Sequence, residues 1–349
     1  MKNFTPDYTN IQNAARNVKA VRLPLYEHKV ADTVMEKILG TQFAELLWGN
    51  RRDKEEYFHQ YYAFSKKMGY DAVQVEGWMG NVMPHSGLLA GSGESVIKTY
   101  EDFEKYPWDE IPNTFFSRYG EMYEVLMETL PPGMKAIGGV GNGLFESVQE
   151  VIGYMNLCIF SVEDPELYAA LFSKVGDVLF EIWQKLMHKY DDAFCVYRIG
   201  DDLGYKANTL LPADDIRRHI IPQYARMVEC AHSYGKPMLL HSCGNVFSVM
   251  QDLIHTAKFD AKHSDEDIIA SFPVWVEKYG KEIGNFGGFD VDALCRLPVS
   301  EIRAHVYNVL DKCKDSGGIA FGTGNSVPDY VPVDSYVEMV NAVRAYRGE

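Results

Sequence analysis

The sequence has few basic residues for its size and lacks a long apolar run. Its 349 residues include 34 Lys and Arg against 49 Asp and Glu, so the formal net charge is −15. A nucleic-acid interface needs a basic stripe to meet phosphate, and this balance argues against one. The first residues lack the apolar core of a signal peptide, and no segment reaches the length of a membrane span. We therefore expect a cytoplasmic protein that binds neither nucleic acid nor a membrane.

Cysteine is scarce and dispersed, which argues against a disulfide scaffold. The six cysteines are Cys158, Cys195, Cys230, Cys243, Cys295 and Cys313. Cys243 has another metal-binding residue type at short range, because His241 lies two positions before it. We interpret the other cysteines as small buried hydrophobic residues, as free cysteine usually is in a reducing compartment.

A glycine-rich dinucleotide motif is also missing after the first predicted strand, which disfavours a nucleotide-binding open sheet. Short apolar runs alternate with helical segments and predict eight strands, over residues 20–26, 71–75, 134–140, 193–199, 238–243, 259–262, 283–289 and 318–321. This pattern predicts an α/β fold, a (β/α)8 TIM barrel forming a single domain over residues 1–349. An N-terminal helical arm covers 1–20, and an insertion after strand 2 covers 79–131. A doubly wound open sheet with fewer strands is the alternative.

Polar and ionisable residues accumulate where the predicted strands end. This rim holds Glu27, His28, Glu76, Trp78, Asn142, Glu146, Asp201, Asp202, His241, Cys243, His263, Asp290 and Asn325. In barrels of this class the loops after the strand carboxyl ends form the active-site mouth. The opposite strand ends carry mostly lysine, glycine and proline. The one-sided distribution therefore favours an enzyme.

The stretch Lys236–Val246, KPMLLHSCGNV, joins a buried apolar strand to a His-x-Cys pair. In extended backbone residues i and i+2 point to the same side, so His241 and Cys243 should face one pocket. An imidazole and a thiol side by side are ligand types that zinc prefers. A hydrogen-bonded histidine beside a buried thiol is the alternative. We predict His241 and Cys243 as metal ligands.

Several stretches of the second half resemble the uroporphyrinogen decarboxylase superfamily. They are DDLGY (201–205), PQYARMVECAH (222–232), YGKPMLLHSCGN (234–245), KHSDED (262–267), GGFDVDALCR (287–296) and GTGNSVPDYVP (322–332). The superfamily includes cobamide-dependent methyltransferases, in which a His-x-Cys pair supplies two zinc ligands, and the resemblance implies the barrel fold. The third ligand in that branch is usually a cysteine after the last strand. Asn325 lies in that loop here, and Glu76, Glu146 or His263 would complete the site instead.

The resemblance favours the methyltransferase branch over true uroporphyrinogen decarboxylase. The decarboxylase carries an R-Q-A-G-R-Y motif that grips the carboxylates of its tetrapyrrole, whereas the first forty residues here include only Arg16 and Arg22. An acidic mouth also repels an octacarboxylate. The resemblance thus implies a methyltransferase acting between a small methylated donor or acceptor of ether, amine or thiol type and a corrinoid protein. Zn²⁺ would be the Lewis acid, and a homodimer is compatible with the resemblance.

Two alternatives stay open from the sequence, namely cofactor-free decarboxylation and corrinoid or tetrapyrrole binding without turnover. The candidate catalytic residues are Glu76, Glu146, Asp201 and His263, as metal ligands, proton carriers or, for Asp201 in a decarboxylase, a stabiliser of charge. The candidate substrate-binding residues are Trp78, Asn142, Asp202, Tyr205, Phe289 and Asn325. Asx turns, helix starts and core packing are their structural alternatives. Adjacent strand residues point to opposite sides, so at most one of Asp201 and Asp202 should face the pocket.

Overall fold

The computed structural model describes residues 4–349, in which seven strands form one parallel sheet. Each strand pairs with the next along the chain: β1 Ala72–Trp78, β2 Lys135–Gly141, β3 Phe194–Gly200, β4 Met238–His241, β5 Ala261–His263, β6 Gly284–Phe289 and β7 Ile319–Thr323. Nearly all strand residues are buried, as expected for a parallel sheet with helices on its outer face. The predicted α/β class, with parallel strands connected by helices, is confirmed.

Helices connect the strands and cover them. The α-helices of the described residues are α1 Thr9–Ala15, α2 Asp32–Leu39, α3 Arg51–Met68, α4 Tyr100–Lys105, α5 Ile111–Thr129, α6 Leu144–Ile152, α7 Tyr154–Glu163, α8 Pro165–Tyr190, α9 Ala213–Asp215, α10 Ile221–Ser233, α11 Met250–His255, α12 Phe272–Tyr279, α13 Val291–Arg296, α14 Val299–Cys313 and α15 Val333–Tyr346. Short 3₁₀ segments cover Ala44–Trp48, Gly80–Val82, Trp108–Glu110 and Asp191–Ala193, and a π-helical segment covers Ile216–Ile220. Within residues 4–349 no helix is both long and apolar enough to cross a membrane.

The predicted first strand over residues 20–26 does not form as a regular strand. Leu25 makes an isolated parallel bridge to Phe321 of β7. The Tyr26 N–H donates to the Phe321 carbonyl, and the Phe321 N–H donates to the Pro24 carbonyl, each at 2.9 Å. Pro24 has no N–H of its own, so it cannot donate to a continuing ladder. The sheet is therefore TIM-barrel-like, with seven regular strands and an irregular segment beside β7 where the first strand was predicted.

The sheet curls around a small apolar interior to which every strand contributes. The cluster contains Ile11, Ala14, Ala15, Tyr26, Ala72, Ile137, Cys195, Val196, Leu239, Ala261, Phe286 and Ala320. Helix α1 packs under the strand amino ends, where the Ala14 carbonyl lies so close to Gly284 and Gly318 that a Cβ there would be 2.4 and 2.0 Å from its oxygen. The predicted N-terminal arm is thus a short helix that fills this end. Residues 1–3 of that prediction lie outside the described residues.

The long segment after β1 corresponds to the predicted insertion over 79–131. It contains α4, α5 and two 3₁₀ segments, and α5 packs against α3 and α8. The buried residues of α5 include Tyr119 and Met122, which also line a cavity at the carboxyl end of the sheet. The insertion therefore builds one wall of the mouth, by which we mean the end of the sheet where the strands terminate.

Candidate functional site

Two buried histidines at the ends of adjacent strands share a hydrogen bond. His241 ends β4, His263 ends β5 and the two are in register, with their Nδ1 atoms 2.7 Å apart. The Nε2 atom of His263 lies 3.0 Å from the carbonyl oxygen of Thr323 at the end of β7. Burial lowers the pKa of His263 to about 3 and holds the pKa of His241 well below its usual value. Both rings are therefore neutral at neutral pH.

These contacts determine where the two ring protons lie. A carbonyl oxygen only accepts, so Nε2 of neutral His263 carries the proton and its Nδ1 is bare. That Nδ1 must accept from an N–H on Nδ1 of His241, which leaves Nε2 of His241 with a free lone pair. The free nitrogen lies 3.5 Å from Cys243 Sγ and 3.8 Å from Asp202 Oδ1. The chain Thr323–His263–His241, which we call the histidine relay, thus presents an electron-pair donor to a thiol and a carboxylate.

Asp202, His241 and Cys243 form a compact donor group whose ligand atoms lie within 4.8 Å of one another. A carboxylate, an imidazole and a thiol are a ligand set that suits Zn²⁺, and the bare Nε2 of His241 fits that use. The Asp202 side chain is 42% exposed, so the group faces the mouth. The described residues include a second group of possible ligands within this distance, His28–His241–His263. Two of its members, His241 and His263, already use ring nitrogens for the hydrogen bonds of the relay.

The third donor is therefore a residue for which the sequence predicted another role. Asp202 was expected among the substrate-binding residues, whereas Glu76, Glu146 and His263 were the predicted choices for a third metal ligand. The structure brings Asp202 to the donor group, and Asp202 Oδ1 also accepts the backbone N–H of Cys243 at 2.9 Å. The predicted pairing of His241 with Cys243 on one side of the chain agrees with this geometry.

Asn325 lies against the sulfur of Cys243, in the loop after β7. Its Nδ2 is 3.2 Å from Cys243 Sγ, and its Oδ1 accepts the Ser326 N–H at 2.7 Å. The amide therefore offers a hydrogen-bond donor to the sulfur rather than a lone pair to a metal. Burial, followed by the charge of Asp202, raises the pKa of the Cys243 thiol. A bound cation is what would hold this sulfur as a thiolate at neutral pH.

Asp201, a predicted catalytic residue, is turned away from the donor group. Its buried carboxylate accepts the backbone N–H groups of Phe145 at 2.9 Å and Glu146 at 2.8 Å, at the start of α6. It also accepts the hydroxyl of Tyr224. All of these partners lie inside the protein, so Asp201 anchors α6 beneath the mouth. As predicted for adjacent residues, only one of the two aspartates faces the pocket.

Glu146 and Asn142 lie directly behind Asp202. Glu146 Oε1 accepts the Asp202 N–H at 3.2 Å, and Glu146 Oε2 accepts from Asn142 Nδ2 at 3.3 Å. Asn142 Oδ1 in turn accepts the Gly80 N–H at 3.2 Å. Burial, followed by the negative charges of Asp201 and Asp202, raises the pKa of Glu146 well above its usual value. These surroundings therefore favour the protonated form of Glu146 beside the donor group.

Glu76 forms an ion pair with Arg198 of β3, a residue that sequence reasoning missed. Arg198 Nη2 lies 2.6 Å from Glu76 Oε2, and the Arg198 side chain is 1% exposed. Its Nη1 donates to Gln74 Oε1 and the His28 carbonyl at 2.9 Å, and to the Tyr26 hydroxyl at 3.1 Å. The sequence did contain a signal for Arg198, because it is a charged residue within the otherwise largely apolar run of β3 and therefore needs a buried partner. The pair neutralises one carboxylate of the predicted rim.

A cavity of about 300 Å³ opens beside this ion pair. It is lined by six aromatic residues, Trp48, Tyr57, Phe58, Tyr61, Trp78 and Tyr119. The apolar lining is Val30, Met35, Leu47, Val75 and Met122, and the polar lining is His28, Lys29, Asp32, Gln74, Asn81, Glu76 and Arg198. Of the predicted substrate residues, Trp78 is in this lining. The sequence shows that aromatic residues are plentiful, but it does not indicate that these six line one cavity.

His28 connects the cavity with the relay. Its ring stacks on that of His241, with centroids 3.6 Å apart and an interplanar angle of 16°. The Nδ1 atom of His28 is buried and has no hydrogen-bond partner among residues 4–349. Burial, followed by the charge of Arg198, holds the pKa of His28 well below its usual value. A neutral imidazole with an unused ring nitrogen therefore lies between the cavity and His241.

Two predicted substrate-binding aromatics lie elsewhere. Phe289, the last residue of β6, is fully buried and packs against His305 of α14, with ring centroids 4.4 Å apart. The Phe289 side chain therefore has a packing role on the outer face of the sheet. It does not line the cavity. Tyr205 is 64% exposed in the loop after β3 and is also outside the cavity lining.

Comparisons with known proteins agree with this architecture. The family model for uroporphyrinogen decarboxylase (URO-D) matches residues 66–346. A methyltransferase from Methanosarcina mazei is similar in structure, with a TM-score of 0.72, 16% identity, and coverage of 97% of this chain and 98% of that chain. A candidate vitamin-B12 independent methionine synthase from Listeria monocytogenes has a TM-score of 0.51, 11% identity and 99% coverage of each chain. At these identities the two structures show a shared fold alone. No curated protein matches the chain.

Proposed function

The chain belongs to the uroporphyrinogen decarboxylase (URO-D) family, and from this premise we propose that it is a metal-assisted methyltransferase. It would move a methyl group between a small methylated donor or acceptor and a corrinoid carried by a partner protein. The donor group Asp202–His241–Cys243, with the free lone pair of His241 directed at the other two residues, is the observation that carries the proposal. A role of this kind also accords with the methyltransferase named among the structural neighbours.

In such a reaction the residues of the mouth would have separate roles. Asp202, His241 and Cys243 would hold Zn²⁺, which when bound supplies Lewis acidity to the atom that carries the methyl group. His263 orients His241 and keeps its Nε2 unprotonated. Asn325 donates a hydrogen bond that stabilises the sulfur of Cys243 as a thiolate.

Glu146 is the proton carrier of this proposal. Burial raises the pKa of its carboxyl group well above the usual value, which favours the protonated form, and the group lies against the backbone of Asp202. A demethylated oxygen, nitrogen or sulfur atom needs a proton when it leaves, and a buried carboxylic acid with a raised pKa is suited to supply one. Asp201 has no part in this step, because its carboxylate is occupied by α6 and Tyr224.

Among the three donor types that the sequence left open, the aromatic cavity favours a methyl ether on an aromatic ring. Aromatic walls bind flat rings through burial and edge-to-face contacts. A methylated ammonium would also gain from the aromatic faces, but Glu76 is already paired with Arg198. Burial raises the pKa of Asp32, and the charge of Lys29 offsets part of that rise. A cation entering the cavity would therefore find the carboxylate of Glu76 already paired and a second cation, Lys29, in the lining. An uncharged ring with a methoxy group meets no such cost.

The dimensions of the cavity argue against cofactor-free decarboxylation of uroporphyrinogen. About 300 Å³ is at the lower limit of small-molecule sites and suits a single ring. Its lining includes two cations, Lys29 and Arg198, and Arg198 already has a carboxylate partner. This lining would leave most carboxylates of an octacarboxylate unpaired. Binding of a corrinoid without turnover is the other alternative, and a methyl-transfer assay with free cob(I)alamin as acceptor separates it from catalysis.

Metal analysis of the purified protein and two variants tests the core of the proposal. We expect about one zinc per chain in the wild type, its loss in His241→Ala and a weaker affinity in Asp202→Asn. Asp201→Asn is the matched control, because it changes the adjacent carboxylate and should keep the zinc. A wild type without zinc, or a His241→Ala variant that retains it, would refute the metal site.

Turnover of uroporphyrinogen would favour the decarboxylase. The corrinoid partner, the single-domain organisation and the cytoplasmic location stay predictions.

A further inference from the structure

A second cavity, of about 420 Å³, lies at the opposite end of the sheet from the mouth. It is bordered by Ile319, the first residue of β7, by the last turn of α14, by the end of α15 and by residues 19–24. We call it the lower cavity. Its volume is within the range of small-molecule sites, and it shares no lining residue with the aromatic cavity. The methyl transfer proposed above therefore makes no use of it.

The floor of the lower cavity is apolar. Leu310, Cys313 and Ile319 line it, and all three are buried. Burial raises the pKa of the Cys313 thiol to about 12, so the sulfur is an uncharged part of this floor. At the edge of the cavity Val21 is fully exposed to solvent. A ligand with an apolar body would therefore remove hydrophobic surface from water here.

The edge of the lower cavity is positively charged, although the chain as a whole has a net charge of −15. Four cations line it, against one carboxylate. The cations are Lys19, Arg22, Lys314 and Arg347, and the carboxylate is Glu349. A cleft lined mainly by charges of one sign raises the local concentration of ligands of the opposite sign. This lining therefore favours an anion.

The two arginines of the edge already have carboxylate partners. Arg22 forms an ion pair with buried Asp71, and Arg347 Nε lies 3.0 Å from Glu349 Oε1. Bidentate binding of phosphate is the usual role of a free arginine fork, and neither fork is free here. The lower cavity is therefore poorly suited to a phosphate ester, and the charge that remains available is that of the lysines.

Lys19 and Lys314 lie together at this edge. Lys19 Nζ donates to the backbone carbonyl of Lys314 at 3.1 Å, and among residues 4–349 neither lysine forms an ion pair. Each ammonium has three hydrogen-bond donors, so both can still bind an acceptor. We propose that the lower cavity binds a monocarboxylate with an apolar chain, its carboxylate at the two lysines and its chain on the apolar floor. This inference is independent of the methyltransferase proposal.

Isothermal titration calorimetry of the full chain with sodium octanoate tests the site. We expect one octanoate per chain and at least about tenfold weaker binding of 1-octanol, which has the same chain length without the charge. The double variant Lys19→Met with Lys314→Met removes both charges but keeps unbranched side chains, and it should weaken octanoate at least about tenfold. Lys37→Met is the matched control, because this lysine of α2 is exposed and lies outside the lining. It should bind octanoate as the wild type does.

Two further variants separate the site from its surroundings. Val21→Asp places a negative charge at the edge and should weaken octanoate at least about fivefold. Because Val21 is fully exposed, circular dichroism should show this variant folded. Tyr57→Ala alters the aromatic cavity instead and should leave octanoate binding unchanged.

The outcomes that would overturn the proposal are equally specific. They are a wild type that does not bind octanoate, equal affinities for octanoate and 1-octanol, a double lysine variant that binds as the wild type does, and loss of octanoate binding in Tyr57→Ala. Sedimentation with phosphatidylglycerol vesicles provides the last test. Vesicle binding that requires the two lysines, in a protein that does not bind octanoate, would assign the lower cavity to a lipid surface instead.

Discussion

The Nδ1 atoms of His241 and His263 lie 2.7 Å apart, although the two residues end different strands. Because the Thr323 carbonyl holds the proton of His263 on Nε2, this contact leaves the Nε2 of His241 free to donate electrons. Adjacent parallel strands bring the two rings into register, so the relay is a direct product of the sheet. A histidine without such a partner would exchange between tautomers and present the lone pair part of the time.

Stability at acidic pH should reveal the neutral state of His263. Its pKa is lowered by burial to about 3, whereas an unfolded histidine titrates near its usual value of about 6.5. Above that value both states are neutral, and stability from this residue is fully present. As the pH falls from about 6.5 to 3, His263 becomes protonated in the unfolded state but stays neutral in the folded state. The metal-free protein should therefore lose up to about 1.4 kcal/mol of unfolding free energy per pH unit through this residue.

Urea unfolding of the wild type and His263→Asn across that window isolates the effect. The stability advantage of the wild type over the variant should shrink steadily as the pH falls from 6.5. Ser242→Ala is the control, because it removes a non-titrating buried hydroxyl that accepts the Leu203 N–H, and its stability gap should not change with pH. A constant gap for His263→Asn would show that the ring is protonated in the folded state.

Replacing Asn325 by cysteine should strengthen zinc binding. Asn325 Nδ2 is 3.2 Å from Cys243 Sγ, so a thiolate at this position would lie within reach of the same ion. Zinc prefers soft thiolate ligands, and we expect the affinity to rise by at least about tenfold. Competition with a chromogenic chelator measures it. Asn325→Ser is the control, because serine is similar in size to cysteine but has no soft sulfur ligand. An equal gain in zinc affinity in that variant would mean that the amide of Asn325 merely obstructs the site.

Breaking the buried ion pair should destabilise the fold. In Glu76→Gln, Arg198 keeps its charge in a buried position without the carboxylate that faces it, and we expect a loss of about 2–3 kcal/mol in unfolding free energy. Chemical denaturation measures the loss. The double variant Glu76→Gln with Arg198→Met removes both charges and should be more stable than Glu76→Gln. If Glu76→Gln is as stable as the wild type, the pair has no structural role.

The cavity should bind a methoxylated ring in preference to a methylated ammonium. Quenching of tryptophan fluorescence by 2-methoxyphenol and by tetramethylammonium compares the two chemistries, because Trp48 and Trp78 both line the cavity. We expect saturable binding of 2-methoxyphenol that weakens at least fivefold in Tyr57→Ala through lost ring contact. His241→Ala should retain it, so binding and metal content are separate measurements. Tighter binding of tetramethylammonium would reassign the donor class while leaving the metal site intact.

The sequence by itself determined the parallel α/β pattern and the end of the sheet where the candidate site residues gather. Apolar runs bounded by polar residues are local signals, and both ends of each observed strand lie within two residues of a predicted run, apart from β1, which ends three residues later than predicted. The placement of His241 and Cys243 on one side also follows from a local rule, the two-residue period of extended backbone. Membership of the URO-D family, indicated by motifs in the second half, is confirmed.

Only the tertiary structure decided which of the rim residues meet. Asp202 joins the donor group while Asp201 anchors α6, a choice made by the path of the loop after β3 rather than by residue type. Arg198 finds Glu76 across 122 positions of sequence, and six aromatics converge from β1, α3, α5 and a short 3₁₀ segment. These outcomes depend on contacts between distant parts of the chain, and local sequence patterns hold no information about such distances.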